Sequence, residues 1–168
     1  MGEDTHAALF LAHANPALLR LNYVPEEDQG GRGRYFETTA RYQHVSGLKL
    51  YIHFNPMEKW AAVEYGRIWT WVDTGFVRIS GRYSAFMEYF GETAHSSFKI
   101  DSKPVAEDIQ PILDYLLETL PILEKKLDEE SLIEIEERGG LGDLREKLKA
   151  RFPDVTRTVT PLNLSGVR

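Results

Sequence analysis

Residues 48–79 constrain this chain more than any other stretch. Positions 48–55 alternate strictly, Leu48-Lys49-Leu50-Tyr51-Ile52-His53-Phe54-Asn55, and a second alternating run at 67–73 reads Arg67-Ile68-Trp69-Thr70-Trp71-Val72-Asp73. Successive side chains of a strand point to opposite faces, so this period demands a sheet with one aliphatic face and a second face of another kind. The turn signals Ser46-Gly47, Asn55-Pro56, Gly66, Thr74-Gly75, Gly81 and Gly91 come too close together for the crossovers that parallel strands need. The spacing predicts an antiparallel β-meander of about six to seven strands, near 35–44, 48–54, 60–65, 67–73, 76–80, 83–90 and 94–100, some merging across Gly66 or Gly81.

Parity places Ala40, Tyr42, Leu48, Leu50, Ile52, Phe54, Ile68, Val72, Val77 and Ile79 on the core face. The other face collects Arg41, Lys49, Tyr51, His53, Arg67, Trp69, Trp71, Phe76 and Arg78. The run 83–90 has apolar residues on both parities and takes no side.

The period changes to about 3.6 after Ser102, where Ile109, Ile112, Leu113, Leu116, Leu120, Leu123 and Leu127 form a helical stripe suited to the aliphatic sheet face. Pro111 and Pro121 predict either a kink or a restart, since an interior proline deletes a helical hydrogen bond. Before the sheet, Asp4 or Thr5 caps a short helix and Asn15-Pro16 starts a second. Positions 24–34 read as a flexible polar loop. Ser131-Leu132-Ile133-Glu134 has capping-box spacing, and Asp143 begins a last helix to Phe152. The fold class expected is therefore α+β, with short N-terminal helices and a C-terminal helical segment on one sheet face. One domain should span 1–153, with 154–168 an extended or disordered tail.

Composition narrows the function. The chain has no cysteine, which removes thiolate nucleophiles and cysteine-ligated metals and fits a reducing, cytoplasmic setting. No segment reaches the roughly 18 continuous apolar residues of a membrane span, so no membrane partner is expected. Net charge is −6, unlike a protein that holds nucleic acid by charge alone. The average conceals an asymmetry: residues 32–103 hold ten Lys/Arg against seven Asp/Glu, and residues 104–138 three against eleven.

Specific chemistry finds few anchors. His6, His13, His44, His53 and His95 form no closely spaced ligand pair, and no cofactor or metal is expected. Neither a Gly-x-Ser-x-Gly elbow nor a phosphate-binding glycine loop occurs. What remains is the aromatic and basic face. Arg41, Lys49, Tyr51, His53, Arg67, Trp69, Trp71 and Arg78 are the candidate binding residues, for a protein partner or self-association. The same face could stack the bases of single-stranded nucleic acid or a nucleotide, with the cations on phosphates. A third reading is a small hydrolase with its pocket near His53. All three compete with a covered face, in which the N-terminal helices lie over Tyr51, Trp69 and Trp71 as a second apolar layer.

Overall fold

The computed structural model describes residues 5–27, 38–72, 75–138, 143, 144 and 146, and their side chains apart from those of 68–72, 75–78, 129 and 136. The expected tail and nearly all of the last helix lie outside these residues. The α+β class holds. Four helices accompany a six-stranded antiparallel sheet among the described residues, in the order α1 (His6–Arg20), β1 (Tyr23–Pro25), β2 (Thr38–His44), β3 (Leu48–Asn55), β4 (Trp60–Val72), β5 (Gly75–Arg82), α2 (Tyr83–Tyr89), β6 (Phe98–Lys99), α3 (Ala106–Lys126) and α4 (Glu129–Glu137). Strands β1 to β5 lie side by side in chain order, and β6 pairs the start of β4.

Register determines which residues share a face. Across β2, β3 and β4, Ala40 opposes Ile52, which opposes Val63, while Tyr42, Leu50 and Tyr65 form the next row inward. These rows belong to one core that also contains Phe10 of α1, Phe86 of α2, Leu116 of α3 and Leu132 of α4. All four helices thus contribute to the aliphatic face. The second face carries its own small apolar pair, Trp60 and Ala62.

Several elements depart from the sequence reading for identifiable reasons. α1 is one helix, capped by Thr5 Oγ1 accepting from the Ala8 N–H, and it runs through Pro16. His6, Phe10, Ala14 and Leu18 recur every fourth residue and are all buried, so burial of that face outweighs the single hydrogen bond the proline removes. α3 likewise continues through Pro111 and Pro121, with Glu107 and Asp108 at its N-terminal end and Lys125 and Lys126 at its C-terminal end, the arrangement its dipole favours. Val105 is its N-cap. α4 is capped by Asp128, whose Oδ1 accepts from the Ser131 N–H, ahead of the predicted Ser131 box.

Of the stretch 83–90 expected as a strand, 83–89 is helical. Tyr83, Ser84, Ala85, Phe86 and Met87 are buried in succession, which accounts for apolar residues on both parities. The merger expected across Gly66 does occur, and Gly66 is a close contact point: at φ +145 a Cβ there would stand 2.0 Å from the Ile79 carbonyl oxygen. β4 therefore runs unbroken as a 13-residue strand. Finally, the expected loop 24–34 begins with strand, since Tyr23, Val24 and Pro25 pair with His44, Gln43 and Tyr42.

Candidate functional site

The face opposite the helices is built from alternate residues of β2, β3 and β4. Arg41 lies directly across from Tyr51, and Tyr51 from Glu64, which in turn faces Arg82 on β5. The Arg41 guanidinium carbon sits 5.3 Å from the Tyr51 ring centroid, within cation–π range. Lys49 Nζ donates to Glu26 Oε2 at 2.7 Å and to Gln43 Oε1 at 3.0 Å. The Tyr51 hydroxyl also reaches Glu26 Oε2, at 3.5 Å. Burial raises the Tyr51 pKa, the Glu26 charge adds to the shift, and Arg41 opposes it.

His53 stands at the centre of a hydroxyl–imidazole–carboxylate chain. Its Nε2 meets Glu64 Oε1 at 2.8 Å and its Nδ1 meets Thr39 Oγ1 at 3.0 Å. A carboxylate only accepts, so Nε2 carries the proton, and in the neutral ring Nδ1 accepts from the Thr39 hydroxyl. The residue types are those of a nucleophilic relay. The His53 and Glu64 side chains are 9% and 12% exposed, however, so the pair lies within the sheet surface with little room for substrate.

The structure brings together Arg41, Lys49, Tyr51 and His53, as the alternation predicts. It does not bring Arg67 to them. Arg67 opposes Leu48 on β3 and Ile79 on β5, both core residues, so it belongs to the helical face. Its Nε donates to the Leu127 carbonyl at 2.8 Å and its Nη1 to the Ser46 carbonyl at 2.5 Å. Trp69, Trp71 and Arg78 lie on the β4–β5 hairpin, where Trp71 pairs with Phe76 in backbone register, and their side chains are outside those described. The β4–β5 register shifts by one residue between Arg67 and Thr70, which interrupts the alternation joining Arg67 to the tryptophans.

Among the described residues, α1 packs on the core face and not on Tyr51. Phe10 of α1 packs at ring distances of 6.2 Å on Tyr42 and 6.0 Å on Phe54, both core-facing. At the β1 margin of the outer face, an open cleft of ≈ 530 Å³ is lined by residues including Val24, Glu26, Glu27, Gln43, His44 and Lys49.

A second polar group, unrecognised in the sequence, runs through the helical face. The Tyr23 and Tyr65 hydroxyls are 2.6 Å apart, and the Tyr83 hydroxyl pairs with Thr119 Oγ1, which donates to the Tyr115 carbonyl. Burial drives the Tyr23, Tyr65 and Tyr83 pKa values upward, and for Tyr23 the neighbouring Tyr65 and the Glu124 carboxylate push further. Glu124 Oε1 also lies 3.7 Å from His44 Nε2, and His44 Nδ1 accepts from the Ser46 backbone N–H at 3.0 Å. Tyrosine on a core parity was the available signal for this seam, since a buried phenol needs a partner.

Comparison with protein-family models, with curated proteins and with solved structures returns no match for this chain. No described helix is long and apolar enough to cross a membrane.

Proposed function

We propose that this chain is a non-catalytic cytoplasmic binding protein that meets a protein partner, or a second copy of itself, through the sheet face around Arg41, Lys49 and Tyr51. One observation carries this reading: the described helices contribute to the opposite, core face, while Arg41, Lys49 and Tyr51 are held in one array beside an open cleft. Such an array presents fixed charge and aromatic surface whose ordering cost is already met, which favours specific docking. The absence of cysteine suits the compartment assigned.

The nucleic-acid reading has less support than the sequence alone offered. Arg67 lies on the other face and Lys49 is held by Glu26, so two of the cations assigned to phosphates are committed elsewhere. The hydrolase reading is disfavoured by the burial of His53 and Glu64.

Site-specific photocrosslinking tests the proposal. A crosslinking residue at Gln43, exposed on the outer face, should trap a partner or a dimer in cells. The same residue at Gln110, exposed on α3, should not. Trapping from Gln110 alone would refute the assignment. Binding of a labelled single-stranded oligonucleotide at physiological salt, lost in the Arg41→Ala variant, would move the function to the nucleotide reading.

A further inference from the structure

We propose that Ser46 is a site of phosphorylation, with Arg67 and His44 as a receptor for its phosphoryl group already built into the fold. Ser46 is exposed in the turn between β2 and β3, next to Val45, which is 74% exposed, so the segment is open to an approaching enzyme. Beneath it lies an unusual cation. Arg67 is 9% exposed, and among the described residues no carboxylate stands within ion-pair distance of it. A buried guanidinium is ordinarily paired with an anion.

Its present contacts account for part of that charge. The Leu127 carbonyl, at the C-terminal end of α3, presents the negative pole of the helix, equivalent to about half an elementary charge. The remaining donors turn to one residue. Nη1 binds the Ser46 carbonyl, and Nη2 reaches Ser46 Oγ only at 3.4 Å, a long contact that leaves Nη2 poorly used. His44 approaches the same oxygen from the other side, with Nδ1 2.8 Å from Oγ. Two nitrogen-bearing side chains therefore converge on one hydroxyl of an exposed turn residue.

Esterification would supply the missing anion. Phosphoserine brings up to two negative charges and three strong acceptor oxygens, and arginine is the side chain best matched to them. Nη2 would gain a charge-assisted bond. A proton on His44 Nδ1 would turn that nitrogen from acceptor to donor towards the phosphoryl group, releasing the Ser46 N–H. His44 would then lie between the phosphate and the Glu124 carboxylate. The modification would thereby tie the β2–β3 turn to the last turn of α3. The step is transfer from a nucleoside triphosphate by a separate protein kinase. The Ser46 Oγ–P bond forms as the bond from the γ-phosphorus to its bridging oxygen breaks, the nucleoside diphosphate leaves with that electron pair, and the Oγ proton passes to the kinase's base.

The full chain carrying genetically encoded phosphoserine at position 46 is titrated by phosphorus NMR, with phosphoserine at exposed Ser102 as control. The position-46 phosphate should keep its second negative charge to a pH about one unit below the ~6 of ordinary phosphoserine, a tenfold preference for the dianion. That displacement should disappear in Arg67→Met, or in His44→Gln if the first variant does not fold. Identical titration at positions 46 and 102, or a displacement that survives both substitutions, overturns the receptor. A second arm is mass spectrometry of the chain from cells that make it. A phosphorylated Ser46 peptide is expected, and an unmodified peptide under every growth condition tried overturns the site.

Discussion

The two faces of this sheet use nearly the same polar vocabulary to opposite ends. The outer face joins Arg41, Tyr51, His53, Glu64, Lys49 and Glu26 through direct acid–base contacts of 2.7–2.8 Å at two of its points. The inner seam joins Tyr23, Tyr65, His44, Glu124 and Arg67 mainly through neutral hydroxyls and backbone carbonyls, and its one acid–base contact among the described residues is 3.7 Å long. The Lys49–Glu26 pair keeps some contact with water, so it costs little to make and contributes little, whereas His53 and Glu64 are nearly enclosed. Tyr23, Tyr65 and Arg67 of the second group have lost nearly all contact with water, so each unmet donor or acceptor there is expensive and each satisfied one locks an element in place. Identical residue types make a surface in one setting and a clamp in the other.

The sharpest way to break the contrast is to remove the strand both faces share. Gly66→Ala places a Cβ against the Ile79 carbonyl and should cost about 4 kcal/mol or more, read as a lowered urea midpoint. Arg67→Ala tests the clamp. Losing its bonds to Leu127 and Ser46 should cost about 3 kcal/mol, and hydrogen exchange should quicken at the start of α4 and in the β2–β3 turn.

Alkaline titration probes the inner seam without mutation. The folded pKa values of Tyr23, Tyr65 and Tyr83 lie above the unfolded value near 10, so their contribution to stability is whole below that pH. As pH rises past 10, the unfolded phenols ionise while the folded ones stay neutral. Stability should fall by about 1.4 kcal/mol per pH unit for each such tyrosine, and their phenolate absorbance should appear together with unfolding. The smallest effect belongs to the outer face. Lys49→Ala should change stability by less than about 1 kcal/mol, with little added effect in 1 M salt. A loss as large as that of Arg67→Ala would abolish the distinction between the faces.

Much of the site was legible where its logic is local. Lys49, Tyr51 and His53 follow from the alternation of one strand, and Arg41 joins them because β2 keeps its own parity. Glu26 was missed because a polar Glu-Glu-Asp-Gln run after Pro25 reads as loop, and only the β1–β2 pairing carries it to Lys49. His44, Ser46 and Arg67 were visible as residues but not as neighbours, since Arg67 is 21 positions from Ser46.

By itself, the sequence determined periods: two for β3, 3.6 for the α3 stripe, and hence an antiparallel sheet with helices on one aliphatic face. Tertiary structure decided phases. Whether Arg67 joins Lys49 or Leu48 depends on the register across the β3–β4 connection at 56–59, and parity within a strand carries no information about that offset. The helix at 83–89 and the unbroken courses of α1 and α3 through their prolines were also decided by packing, because burial of a whole apolar face outweighs local signals worth a few kcal/mol.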